Sequence, residues 1–251
     1  MPILPFHRRK KMADYEYLFK AYDIRGVYPD EINEDFAFKL GKALSMQLAG
    51  QDVMVGRDCR IGSDKLAKAL MDGITSQGSN AYDLGLCTTP MNYFAAQQGT
   101  TVMVTASHNP KKYNGFKICR KGSIAVGGNG LNVLKDLVLR NEFPKAKKKG
   151  RVRKKDIKRS YINHVRKFGK KIKKSLKVVV DAGNGMAGLT AKSAIPCNVI
   201  PLFFEQDGNF PNRPPNPLKP GALEKLSLAV KKNKADLGVA YDGDADRVVF
   251  V

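Results

Sequence analysis

The amino-acid sequence predicts an α/β protein of two related units, each built on a mixed, mostly parallel sheet. Short apolar runs alternate with stretches whose apolar residues recur at helical spacing. Two polar motifs each follow a run that reads as a buried strand. TASHNP (Thr105 to Pro110) follows Thr101-Val102-Met103-Val104, and DGDADR (Asp242 to Arg247) follows Leu237-Gly238-Val239-Ala240. A long basic connector separates the two series, so the chain divides into a first domain over 12–147, a basic linker helix over 148–174 and a second domain over 175–251.

In the first unit, Asp52 to Val55 reads as a strand ending at Gly56-Arg57-Asp58. Ser63 to Gln77 carries Leu66, Ala69, Leu70 and Ile74 at helical spacing, with Ser63 expected as the N-cap. Asn80 to Leu84 is the next strand, and Met91 to Gln97 a helix opened by Pro90. Thr101 to Thr105 leads into TASHNP, Gly115 to Cys119 is a further strand, and Leu131 to Arg140 a helix. In the connector, Ile157, Tyr161 and Val165 share one helical face. The second unit starts with a strand from Leu176 to Val180 and the glycine turn Asp181 to Gly185. A strand over Asn198 to Phe203, the proline-rich loop GNFPNRPPNP, a helix over Ala222 to Lys232 and a strand over Asp236 to Tyr241 follow. Both motifs thus fall at carboxyl ends of strands, where open α/β sheets collect ligands.

The 251 residues suffice for real hydrophobic cores, and 43% hydrophobic with 27% charged residues is ordinary for a globular protein. No apolar run approaches the roughly 18 residues that span a bilayer. MPILPFHRRKK puts its apolar residues before its basic ones, the reverse of a secretory signal. Cys59, Cys87, Cys119 and Cys197 form no CxxC pair, which fits reduced thiols and a cytoplasmic location. The net charge of +21 invites a nucleic-acid reading. However, Lys145 to Lys174 alone holds 16 Lys and Arg against the single acid Asp156, so one connector carries most of the excess. Only Tyr161 and Phe168 interrupt it with aromatic rings, so no specific nucleic-acid partner is expected.

Ser107 is the candidate nucleophile, with His108, Asn109 and Lys117 close in sequence; the bland alternative is a serine that caps a turn. No GxSxG elbow supports a serine hydrolase. Asp242, Asp244 and Asp246 alternate with the small residues Gly243 and Ala245, so a tight loop can bring their oxygens onto one hard cation such as Mg²⁺. An EF-hand would need glycine where Arg247 stands. A phosphatase with an aspartyl nucleophile at Asp242 or Asp244 fits the acidic motif but leaves Ser107 without a role. Gly183, Gly185 and Gly188 spell GxGxxG after a strand, which we read as a tight strand-to-helix turn rather than a dinucleotide site. Arg25 in YDIRG suits a turn presenting a guanidinium to phosphate; its alternative is an ion pair with Asp23 or Asp30.

Together YDIRG, TASHNP, NGFK (Asn114 to Lys117) and DGDADR resemble the α-D-phosphohexomutase family, in its phosphomannomutase/phosphoglucomutase branch rather than the phosphoglucosamine mutases. The resemblance runs from about Tyr17 onward and implies two phosphohexomutase-type α/β domains. It implies that Ser107 is the phosphoserine and that Asp242, Asp244, Asp246 and a Ser107 phosphate oxygen bind Mg²⁺. Arg25 and Arg247 then lie beside the phosphoserine, with Asn109, His108 and Lys117 in the same site and Lys117 in proton transfer. The implied reaction interconverts hexose 1-phosphate and hexose 6-phosphate through a hexose 1,6-bisphosphate. Family members have four domains and about twice this length, so the chain is expected to be an N-terminal half, with C-terminal domains completing the site. A catalytically inert sugar-phosphate or polyanion-binding remnant is the alternative.

Overall fold

The computed structural model describes residues 12–172 and 175–251; the N-terminal stretch read above as unlike a secretory signal, and Lys173 and Lys174 of the basic stretch, lie outside them. After a 3₁₀ segment, Met12–Leu18, the first unit comprises β1 (Ile24–Val27), α1 (Glu34–Gln47), β2 (Val53–Arg57), α2 (Ser63–Ser76) and β3 (Ala81–Leu86). It continues with α3 (Thr89–Ala96), β4 (Thr100–Val104), β5 (Tyr113–Arg120), β6 (Ile124–Ala125), α4 (Asn129–Arg140) and β7 (Val152–Lys154). The sheet order is β1-β5-β4-β2-β3-β7, with β6 beside β5. Strands β4, β2, β3 and β7 are parallel, whereas β1, β5 and β4 are antiparallel neighbours.

The central strands are buried on both faces, as helices on both sides require. On β2 and β4, Val53, Val55, Val102 and Val104 face the core made with α1, α2 and α4, including Leu40, Leu44, Leu66, Leu70 and Leu134. Met54 and Met103 point the other way, against Met91, Ala95 and Ile157. Helix α1 is absent from the sequence expectations. It is capped by Asn33, whose side chain accepts the Phe36 N–H, and opens with Glu34 and Asp35 against the positive helix end.

Three local expectations need correction. Ser63 is the first helical residue rather than the N-cap, because its hydroxyl is spent on Asp58 Oδ1 at 2.6 Å. YDIRG is only partly a turn: Tyr22 and Asp23 close a tight turn, with the Lys20 N–H donating to the Asp23 carbonyl at 2.8 Å, whereas Ile24, Arg25 and Gly26 lie in strand β1, paired with β5. The linker stretch is not helix throughout: β7 adds to the first sheet alongside β3 before helix α5 (Lys158–Arg166) begins.

The second unit contains β8 (Lys177–Asp181), a 3₁₀ turn at Met186–Leu189, α6 (Ala191–Ala194), β9 (Asn198–Leu202), α7 (Glu224–Asn233), β10 (Leu237–Tyr241) and β11 (Val248–Phe250). Its sheet order is β11-β10-β8-β9, parallel except for β11. The proline-rich loop has no regular element, yet Phe210 and Arg213 are buried in it.

Candidate active site

The serine loop leaves β4 and returns on β5. Ser107 adopts a left-handed backbone (φ 54°), which costs a residue with a Cβ roughly 1–2 kcal/mol. Two local bonds hold the turn: the Ser107 N–H donates to Thr105 Oγ1 at 2.9 Å, and the Asn109 N–H to the Ala106 carbonyl at 3.0 Å. The acidic loop leaves β10 and turns just as sharply, with Ala245 also left-handed (φ 64°). There Asp242 Oδ1 accepts the N–H groups of Asp246 and Arg247 at 3.1 and 3.2 Å, folding the loop around its own first carboxylate. Strain of this kind collects where the surrounding structure holds a functional conformation.

The two loops meet. Ser107 Oγ donates to Asp242 Oδ2 at 3.1 Å, and Ser107, Asp242 and Asp244 are all fully buried. Carboxylate oxygens of Asp242, Asp244 and Asp246 lie within 4.8 Å of one another. Lys117, on β5, bridges Asp244 at 2.8 Å and Asp246 at 2.6 Å. Burial opposes the Lys117 charge, but these two carboxylates win and hold the ammonium above its ordinary pKa. Burial likewise opposes ionisation of Asp244, yet Lys117 and the hydroxyls of Thr89 and Ser107 draw its pKa down. Asp242 has no cation so close. Burial, then the negative charges of Asp244 and Asp246, push it up to about 8.

Three further cationic side chains and a histidine border this cluster. Arg25 pairs with Asp23 at 2.8 Å and also donates to the Ala106 carbonyl and to Asn109 Oδ1, so its ion pair and its position beside the serine loop coexist. Arg247 stands 3.9 Å from Asp242 and 3.8 Å from Asp246, half-exposed. His108 is held below its usual pKa, first by partial burial and then by Arg247 and Arg25, so it is neutral at pH 7. Its buried Nδ1 has no hydrogen-bond partner. The third of these cations, Arg60, is fully buried beneath the serine loop. All nine residues expected at the site therefore converge on it.

Sequence reasoning missed the supports of the site. Thr89, at the start of α3, donates its hydroxyl to Asp244 Oδ2 at 2.7 Å and its N–H to the Asp244 carbonyl at 2.9 Å, tying the acidic loop to the first unit. In the second unit, Arg213 joins the ends of two strands, donating to Asp181 Oδ2 at 2.8 Å and to the Tyr241 carbonyl at 2.6 Å. The GxGxxG turn acts as a spacer: a Cβ on Gly185 would stand 2.7 Å from the Gly243 carbonyl, so the turn packs directly against the acidic loop. Arg60 and Arg213 each lie in a strand-end loop, the one signal that could have drawn notice to them.

The donor set fits a divalent cation. Asp244 Oδ1 and Asp246 Oδ1 are buried acceptors without a hydrogen-bond partner, a condition that costs each about 1–3 kcal/mol unless a ligand meets it. Clustered carboxylate oxygens are the ligands a hard ion selects.

The sequence model of the phosphoglucomutase/phosphomannomutase alpha/beta/alpha domain I matches residues 16–145, and that of domain II matches residues 159–251. The chain belongs to the phosphoglucomutase/phosphomannomutase family. A phosphomannomutase/phosphoglucomutase of Pseudomonas putida is 43% identical over 244 residues, covering 93% of this chain and 52% of that protein. A phosphoglucomutase of Neisseria gonorrhoeae is 39% identical with the same coverage. Among solved structures, a phosphoglucomutase/phosphomannomutase family protein of Burkholderia thailandensis superposes with a TM-score of 0.85 at 36% identity. It is covered to 54%, and this chain to 93%. The chain thus spans about half the length of the family relatives it matches.

Proposed function

We propose that this chain carries the phosphoryl-transfer half of a cytoplasmic phosphohexomutase that interconverts hexose 1-phosphate and hexose 6-phosphate. The observation that carries the proposal is Ser107 Oγ at 3.1 Å from Asp242, beside two buried carboxylate oxygens that lack partners. Family membership supports this reaction class. Among the described residues no helix is long and apolar enough to cross a membrane.

In this reading Ser107 carries the phosphoryl group between substrates. A hexose hydroxyl attacks phosphorus, the bond from phosphorus to Ser107 Oγ breaks, and a hexose 1,6-bisphosphate forms. Transfer of its other phosphate back to Ser107 leaves the isomeric monophosphate. Asp242, Asp244 and Asp246 would hold Mg²⁺ together with a phosphate oxygen carried on Ser107. The ion, when bound, neutralises charge on the transferring group. Arg25 and Arg247 neutralise the remaining phosphate charge, and Asn109 fixes Arg25 through its 2.9 Å bond. Lys117, protonated between Asp244 and Asp246, supplies a proton to the oxygen that leaves phosphorus. Neutral His108 can accept one through its unpartnered Nδ1.

Incubation of these 251 residues with Mg²⁺ and glucose 1,6-bisphosphate should add one phosphate by intact mass, and Ser107→Ala should add none. Equal labelling of parent and variant would sink the assignment of Ser107. The relatives are about twice as long, and remote binding energy normally helps position substrate. These residues alone should therefore show little mutase turnover.

A further inference from the structure

Arg60 stands apart from every residue given a role above. Its side chain is fully buried although it carries a permanent charge, which is rare unless each donor is satisfied. Nη1 donates to the carbonyls of Pro110 and Tyr113 at 3.0 and 3.1 Å. Nη2 donates to the carbonyls of Ser107 and Asn109, both at 2.7 Å. Nε faces Asp58 Oδ2 at 3.3 Å, a Coulombic contact without hydrogen-bond alignment. Asp58 in turn uses Oδ1 to accept the Arg60 N–H and the Ser63 hydroxyl. Four of the five guanidinium hydrogens therefore bind four carbonyls of one loop, and the fifth faces a counter-ion that α2 holds in place.

We propose that Arg60 is a positioning residue: its guanidinium fork holds the Ser107 carbonyl, and with it the left-handed backbone that aims Ser107 Oγ at Asp242. Four carbonyls pulled toward one planar cation fix the path from Ser107 to Tyr113 more firmly than the two local turn bonds can. The second unit closes over the same group. Phe210 lays its ring 5.1 Å from the guanidinium carbon, and a Cβ on Gly243 would stand 3.6 Å from Nη2. One side chain thus registers the serine loop against the acidic loop. Lysine cannot replace it, because three donors on a point charge cannot span four carbonyls.

The test uses Arg60→Lys and, because a lone Asp58 would be left buried and charged, the paired variant Asp58→Asn/Arg60→Met, which removes both charges. Amide hydrogen exchange over 105–113 should be at least tenfold faster in both variants, while α1 and β2 exchange as in the parent. Exchange over 105–113 within twofold of the parent in a folded variant overturns the proposal. A purely electrostatic role would instead be rescued by Arg60→Lys, and a bulk-stability role would speed exchange in α1 and β2 as much as over 105–113. The second readout, phosphate uptake at Ser107 from glucose 1,6-bisphosphate, rests on the proposed function and should fall at least tenfold. Failure of the parent to take up phosphate would count against that function, and the exchange result would still decide the role of Arg60.

Discussion

Gly243→Ala probes the seam between the two loops. Gly243 does not occupy the left-handed region, so alanine meets no backbone penalty and any effect must come from contact. The new Cβ would stand 2.6 Å from the Ser107 carbonyl oxygen, 3.3 Å from Pro215 Cβ and 3.6 Å from Arg60 Nη2. The carbonyl is held by Arg60 and cannot swing aside like a flexible side chain. The loops must then part by about 0.4–0.8 Å, at an overpacking cost of about 1–3 kcal/mol. That opening stretches the 3.1 Å bond between Ser107 and Asp242 to the edge of useful hydrogen-bond length. For a chain of this size, thermal unfolding should show a drop of about 2–10 °C. Phosphate uptake at Ser107 should slow about tenfold, since a misplacement of about 1 Å can cost about a hundredfold. Gly99→Ala, whose Cβ meets only Met54 at an ordinary 3.7 Å, is the control. Parent-like melting and parent-like uptake in Gly243→Ala would show that the two loops do not meet at this glycine.

Other perturbations follow from the same contacts. Thr89→Val removes the hydroxyl bound to Asp244 and should cost about 1–3 kcal/mol, with Thr89→Ser restoring melting and cation affinity. Arg213→Met leaves the buried Asp181 carboxylate facing only the Gly183 N–H, so denaturant unfolding of the second unit should lose about 3–5 kcal/mol. In chelator, the folded form keeps the Asp242 proton up to about pH 8 whereas the unfolded chain releases it near 3.8. Stability from this group is fully present below pH 3.8 and is lost as pH rises toward 8, by up to about 1.4 kcal/mol per unit. Melting in EDTA from pH 5 to 8 should show that decline, and Asp242→Asn should flatten it. Mg²⁺ should reverse the trend, because the cation competes with the same proton.

The periodicity of the central strands and the turn-forming chemistry of TASHNP and DGDADR are local properties, and they made the α/β class and the candidate residues legible. Val53, Val55, Val102 and Val104 are apolar because both faces of their strands are covered, and that signal survives in one dimension. Helix α1 escaped notice. Its N-cap Asn33 and its acidic first turn were legible signals, but its apolar positions gain their meaning only against α2, where a Cβ on Gly41 would strike the Leu70 carbonyl. The short strand β7 was hidden by its charge: Arg153 and Lys154 are exposed on an edge, and only pairing with β3 makes them a strand. Local sequence thus reveals which chemistry is present: a hydroxyl, three carboxylates and several cations at strand ends. Packing of the two units is what brings Ser107 to face Asp242, sets Lys117 between Asp244 and Asp246, and lets Arg60 and Thr89 hold the two loops together. Those are contacts between residues far apart in the chain, set by how two sheets and their loops pack, and no local pattern encodes them.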